Sequence, residues 1–242
     1  IAVQGFMKVA FLFYSMEDPN YAEKEGAARE ALKFIKNKMI VGLGTGSTAR
    51  IFISLLAERA KAEKLSLTCV STSFDSRKLA LEKGLKVVEL DQVEKIDVAI
   101  DGADVITEEL YCLKGGGGAL AREKVVGYFA EELIILVDSA KVKEELSGNV
   151  TIEVMPFAYS TVLRELRKKG IHCELRHGTG KCGPVVSDNN NYIIDARMTI
   201  DEPDEMESAI NNIPCVVANG IFTKVSRCII GKKDQVRILT KE

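Results

Sequence analysis

The sequence predicts an α/β protein: a Rossmann-like, mostly parallel sheet domain with a smaller ferredoxin-like α+β domain inserted near the C-terminus. Three observations carry this expectation. Between residues 18 and 149 short apolar runs alternate with helical stripes, the pattern of buried parallel strands covered on both faces. From residue 150 to 218 the order becomes β-α-β-β-α-β, the ferredoxin-like arrangement. The tail, residues 221–239, reads as short strands around Gly231-Lys232-Lys233-Asp234, as expected of a chain that returns to the first domain. The expected division is 16–149 with 219–242 for the large domain, 150–218 for the small one, and 1–15 as a dispensable N-terminal extension.

The elements follow in order. Asp18-Pro19 reads as an N-cap and first helical turn, followed by the stripe Ala28, Ala31, Leu32 and Ile35. Residues 39–43 form an apolar strand running into Gly44-Thr45-Gly46-Ser47, with a helix over 49–60. Strands at 67–70 and 85–90 flank a helix over 75–83 that Gly84 ends, and the strand 96–100 stops at Asp101-Gly102-Ala103-Asp104. Four consecutive glycines, Gly115 to Gly118, precede a helix over 119–132, and 133–137 is the next buried strand. In the small domain, strands at 150–154, 171–176, 192–198 and 215–218 alternate with helices at 157–169 and 202–211. The tract Asp188-Asn189-Asn190-Asn191, between Val186 and Tyr192, is a hairpin turn.

Composition excludes several classes of function. With 33 basic and 35 acidic side chains the formal charge is -2, which leaves no electrostatic footprint for nucleic acid. The longest unbroken apolar run, residues 9–14, is far short of the ~20 residues a membrane span needs. Six cysteines without a CxxC pair read as the reduced thiols of a cytoplasmic protein. His172, Cys173, His177 and Cys182 are the one constellation with metal-ligand chemistry. On a strand, however, His172 and Cys173 face opposite sides, so no metal is expected there.

The polar residues collect at strand ends, where ligands bind in open α/β sheets. Those ends carry residues 44–48, 71–73, 101–104 and 138–141. Gly44-Thr45-Gly46-Ser47-Thr48 joins a strand to a helix, so its backbone can approach an anion and the helix N-terminus offers free N–H groups. The spacing of Gly42, Gly44 and Gly46 does not continue as a dinucleotide fingerprint, and Ser71-Thr72-Ser73 supplies no acid for a ribose. Asp101 and Asp104 are close enough to repel, which would raise one pKa and let the pair hold a sugar hydroxyl and relay its proton. Lys114 and the four glycines after it could form an anion-binding nest, an oxyanion site or a mobile lid. Glu123, early in the following helix, becomes a candidate base if that helix faces the same crevice.

Together these segments resemble the ribose-5-phosphate isomerase family, A type. The resemblance runs from residues 41–49 through Asp101-Gly102-Ala103-Asp104, residues 114–120, Arg122-Glu123-Lys124, residues 138–141 and 153–156 to Asn219-Gly220-Ile221-Phe222. The later motifs look most like archaeal members. It implies reversible interconversion of ribose 5-phosphate and ribulose 5-phosphate, a step of pentose phosphate metabolism, with no metal or organic cofactor. Glu123 falls on the family's base, which carries a proton between C2 and C1 through an enediolate. Asp101, Asp104 and Lys114 fall on residues that open the ring, move hydroxyl protons and stabilise the oxyanion. Thr45, Gly46, Ser47 and Thr48 match the substrate loop, Gly102 and Ala103 the aspartate loop, and Gly115, Gly116 and Gly117 line the site. Lys24 and Lys141 match lysines near substrate or phosphate. The family also implies a homodimer or homotetramer.

Two positions depart from the family. Val105 stands where a Glu usually follows the second Asp, which removes a support of Asp104. Asn190 replaces the Gly of an Asp-Asn-Gly-Asn turn, and Asn tolerates the positive φ required. The main alternative is a non-catalytic sugar-phosphate-sensing domain of related fold. Such regulators resemble the chain less at Lys114 and Glu123, and the residues ahead of the first helix are too few for a DNA-binding segment. A related amino-sugar deaminase would lean on a catalytic His, whereas His172 and His177 fall in the small domain.

Overall fold

Strands with apolar residues on both faces stack into the centre of a sheet, and the most buried of them, Leu133–Asp138 (β7), has all six residues buried. The computed structural model describes residues 18–241 except 181 and 234, so the expectation for 1–15 lies outside the described residues. Around β7 the large sheet takes in β1 (Ile40–Leu43), β2 (Thr68–Ser71), β3 (Val87–Val88), β4 (Val98–Gly102), β13 (Arg227–Lys232) and β14 (Gln235–Thr240). Its order is β14-β13-β7-β4-β1-β2-β3, parallel throughout except for the antiparallel edge strand β14. The tail does return to the large sheet, because β13 pairs with β7 from Arg227 opposite Ile134 to Gly231 opposite Asp138.

Helices cover both faces. On one side α1 (Tyr21–Ala31) and α2 (Ser47–Glu63) pack Ala27, Ala31, Phe52 and Leu56 against Val41, Ile100 and Leu136. On the other, Val126 of α4 (Leu120–Phe129) joins Ala99, Ile135 and Phe222. On the same face as α1 and α2, α3 (Phe74–Glu82) starts at a capping box in which Ser73 and Ser76 satisfy each other's backbone N–H groups. Asp18 does not cap α1 as expected. The helix begins after Asn20, and the Asp18 carboxylate accepts instead from the Asn20 N–H at 3.0 Å and Lys24 Nζ at 2.7 Å.

The ferredoxin-like order appears in β8 (Ser147–Val154), α5 (Tyr159–Lys168), β9 (His172–Leu175), β10 (Tyr192–Thr199), α6 (Pro203–Asn211) and β11 (Val216–Asn219). The four strands form an antiparallel sheet in the order β11-β8-β10-β9. Asn190 takes φ 62° and donates its N–H to Ser187 O at 3.0 Å, so the hairpin turn forms without glycine. His172 is exposed and Cys173 buried, on opposite faces of β9. A third, three-stranded sheet was not expected: β12 (Ile221–Phe222), β6 (Cys112–Leu113) and β5 (Val105–Ile106). Its two-residue strands are too short to show periodicity, yet they bridge the two larger sheets.

Helix α4 is the mechanical link between the layers. Leu120 and Ala121 pack on Ile193 and Ala218 of the small sheet. One turn further on, buried Lys124 pairs with Glu207 of α6 and donates to Ile221 O at 2.6 Å. Tyr128 Oη and Thr223 Oγ1 complete the Glu207 carboxylate, each at 2.8 Å. Removing one member of such a buried pair leaves the other charge unpaired. Lys124→Met should therefore lower unfolding stability in urea by about 3–5 kcal/mol, and Lys124→Met with Glu207→Leu should recover most of that loss. A single change that costs under about 1 kcal/mol would show that the pair does not hold α4 in place.

Candidate functional site

The chain leaves β1 for β2 and β3 on one side of the sheet, and β4, β7 and β13 fill the other. The carboxyl ends of β1 and β4 therefore flank the topological switch point, where an α/β sheet opens a crevice. A cleft lies there, lined by Lys24, Thr45 to Thr48, Gly102 to Asp104, Lys114 to Gly117, Glu123, Val137, Asp138 and Lys141. Among the expected residues only Asp101 is absent from its wall.

Asp101 lies behind the wall and ties three segments together. Its Oδ1 accepts from the N–H of Thr45 at 3.0 Å and of Gly102 at 2.7 Å, while Oδ2 sits 3.0 Å from Lys114 Nζ. Gly44 makes this approach feasible, because a Cβ there would lie 2.1 Å from Asp101 Oδ1 and 2.6 Å from its Cα. The expected repulsion between Asp101 and Asp104 gives way to separate partners. Burial, not Asp104, pushes the Asp101 carboxyl up, against the pull of Lys114. Asp104 faces the glycine run, where its Oδ2 accepts from the Gly116 N–H at 2.9 Å. That bond supports Asp104 in place of the missing Glu, while Val105 joins the apolar packing of the small domain.

Lys114 is 3% exposed, with Nζ 2.6 Å from Gly102 O and 3.4 Å from Glu123 Oε2. Burial alone would favour the neutral amine, but Asp101 and Glu123 outweigh it and hold Lys114 above the ordinary lysine range. Glu123, 5% exposed, is pushed up to about 8 by burial and by the Asp101 charge, against the pull of Lys114. Its Oε2 is buried without a hydrogen bond. The site thus holds a fixed cation beside a carboxyl poised between its acid and base forms.

The other end of the cleft is built for an anion. Gly46, at φ 106°, turns the chain into α2 with no side chain capping the helix, so the dipole and first N–H groups face the crevice. Thr45 Oγ1 is fixed by Thr72 and Ser73, both at 2.8 Å. Lys24 Nζ lies 3.3 Å from Ser47 Oγ and 3.9 Å from Asp138 Oδ2.

Comparison with known proteins matches this arrangement to one family. Residues 68–235 fit the family model of ribose 5-phosphate isomerase A (phosphoriboisomerase A). The ribose-5-phosphate isomerase A of Methanococcus aeolicus is 49% identical over 218 residues, which cover 89% of this chain and 93% of that protein. The chain belongs to the ribose 5-phosphate isomerase A family. The structure of the Methanocaldococcus jannaschii ribose 5-phosphate isomerase A superposes with a TM-score of 0.90 at 44% identity, covering 92% of this chain and all of that one (100%). A D-ribose-5-phosphate isomerase in complex with phospho-erythronic acid superposes at 0.88, again 44% identical, over 90% of this chain and 97% of that one.

Against this isomerase fold the sequence left several residues of the cleft unassigned. Val137 and Asp138 line it; the position of Asp138 at a strand end was the signal that could have added it. Arg176 and Thr151 grip the glycine run from outside the cleft, and no local motif marks them. The tight Gly44–Asp101 approach yields a test. Gly44→Ala should destabilise the protein by about 1–3 kcal/mol or more through overpacking. Gly102→Ala, whose Cβ would meet nothing closer than 3.8 Å, should change stability by under about 1 kcal/mol. Equal urea midpoints for the two variants would contradict the close approach.

Proposed function

We propose that this protein interconverts ribose 5-phosphate and ribulose 5-phosphate through an enediolate, with Glu123 as the proton carrier. The observation that carries the reading is the Glu123 carboxyl, buried beside the Lys114 cation and held near pKa 8 in a cleft whose other end is a helix N-terminus. The substrate has the matching layout, a dianionic phosphate at one end and a reacting C1–C2 unit at the other. Its phosphate sits on the N–H groups and hydroxyls of residues 46–48, with Lys24 and Lys141 supplying positive charge. Phospho-erythronic acid, bound by the relative above, carries a phosphate and a carboxylate, the same charges an enediolate phosphate presents at its two ends.

In the open-chain sugar Glu123 takes the proton from C2, and the C2–H electron pair becomes the C1–C2 double bond. Negative charge moves onto the C1 oxygen, where Lys114 and the backbone N–H of Gly117 stabilise it. Glu123 then returns the proton to C1, while Asp104 passes the C2 hydroxyl proton across to the C1 oxygen. Asp101 acts from behind, fixing Lys114 and the Thr45 N–H. A fixed N–H group and an ammonium supply the electrophilic help, so the reaction runs without metal or organic cofactor and survives a chelator.

The finer attributes follow the same reading. A homodimer or homotetramer belongs to the same proposal. Six free thiols fit a cytoplasmic enzyme, and among the described residues no helix is long and apolar enough to cross a membrane.

Glu123→Gln should lower kcat for ribose 5-phosphate on the order of 10²-fold or more with KM nearly unchanged, as expected for loss of a general base. An unchanged kcat would remove Glu123 from that role. The raised pKa also sets the sign of the pH dependence. Because the base form is the ionised one, kcat/KM should rise close to tenfold per pH unit below about 8 and level above it. A profile flat from pH 6 to 8 would contradict the assignment; a wild-type protein that makes no ketose would favour the sensing alternative.

A further inference from the structure

Arg176 has a guanidinium whose donors all point inward, although the residue lies past the end of β9 in the small domain. Nε donates to Asp195 Oδ2 at 2.7 Å, and Nη2 to Asp195 Oδ1 and to Thr151 Oγ1, the latter at 3.0 Å. Asn149 Nδ2 donates to Asp195 Oδ1 at 2.6 Å, which fixes the carboxylate. The remaining nitrogen, Nη1, reaches into the large domain and donates to Gly115 O at 3.2 Å and Gly116 O at 3.1 Å. Thr151 closes the same grip sterically, since a Cβ on Gly115 would lie 2.9 Å from its Cβ.

A trans peptide points its C=O and the following N–H in opposite directions. Drawing the Gly115 carbonyl toward Arg176 therefore turns the Gly116 N–H away from it, and that N–H indeed meets Asp104 Oδ2 at 2.9 Å. Drawing the Gly116 carbonyl the same way turns the Gly117 N–H away as well, at a residue that lines the cleft. We infer that Arg176, locked by Asp195, is a positioning residue that sets the glycine run so that the Gly116 N–H holds Asp104 and the Gly117 N–H is left for the developing oxyanion. The run itself is held at φ 102° at Gly115 and 77° at Gly118 by a turn whose Gly118 N–H donates to Gly115 O at 2.9 Å. Four glycines have little preference for that conformation, so an external fork decides it. Lysine, with one point charge, cannot hold Asp195, Thr151 and two carbonyls together.

The inference rests on the isomerase reading, and the test separates the two. Arg176→Lys and Asp195→Asn are compared with wild type for ribose 5-phosphate turnover, inhibition by phospho-erythronic acid and by inorganic phosphate, and thermal unfolding. Misaimed oxyanion donors should lower kcat on the order of 10-fold or more in Arg176→Lys, and less in Asp195→Asn, with KM within about twofold. Inhibition by phospho-erythronic acid should weaken in parallel with kcat, while inhibition by inorganic phosphate should stay as in wild type. A lowered melting temperature with kcat unchanged in the folded protein, or a rise in KM alone, would overturn the inference. If Arg176→Lys does not fold, the same kcat-against-KM split in Asp195→Asn decides it. Wild-type protein without isomerase turnover would instead overturn the reading beneath it.

Discussion

The buried contact of Lys114 with Asp101 and Glu123 is the constraint on which the rest of the site depends. Three ionisable groups, each at most 5% exposed, share one ammonium between two carboxyls. Full ionisation would leave an uncompensated negative charge out of water, and burial makes that costly. Burial raises the pKa of both carboxyls, and the two differ in the partners that oppose it. Asp101 receives two backbone N–H groups and the shorter contact to Lys114, whereas Glu123 Oε2 has no hydrogen bond. The resulting difference makes Asp101 a geometrically fixed anchor and leaves Glu123 as a carboxyl with an unpartnered oxygen and a raised pKa.

That chemistry requires backbone segments from distant parts of the chain to be held at hydrogen-bonding distance from one another. The large sheet brings the ends of β1 and β4 together, but the glycine run comes to them from the side. It is seated by the small domain through Arg176 and Thr151, and just ahead of it the absent side chain of Gly220 admits Lys114 O. A second set of contacts joins the domains at the hairpin turn. Buried Glu153 accepts from Ser187, Asn189 and Asn191, Arg122 of α4 donates to Asn189 and to Asp188 O, and Asp188 receives the Phe74 N–H. Since α4 carries Glu123, the small domain braces both that carboxyl and the glycine run.

Most of the fold was legible because it rests on local pattern. Residues 133–137 read as a buried strand from their apolar run, and residues 49–60 as a helix that the structure extends to Ser47–Glu63. The expected strand 85–90 shrinks to Val87–Val88, since only two residues pair with β2 before a 3-10 turn at Leu90–Gln92. The cleft was legible because polar residues at strand ends converge in any open parallel sheet. Contacts between segments far apart in sequence were not. Arg176 and Asp195 look like ordinary charges on short strands, and Glu207 like a surface acid of an amphipathic helix. Their roles exist only once α4, β8 and β10 are packed together. The aspartate loop was legible only in part for a related reason: one carboxyl is raised, but by burial, and spacing said nothing of Lys114, which pairs with Asp101.

The central claim is that this cluster keeps a proton on Glu123 near neutral pH, and it is tested most directly on the resting protein. Carboxyl carbon-13 resonances of labelled protein, with Glu123 assigned by comparison with Glu123→Gln, can be followed across pH. The expected midpoint for Glu123 is about 8, well above the ordinary 4.5. In Lys114→Met, where the only cation of the cluster is gone, the midpoint should move higher still. A Glu123 midpoint at or below 4.5 would mean that the carboxyl is an ordinary paired anion, and the account of the site would fail.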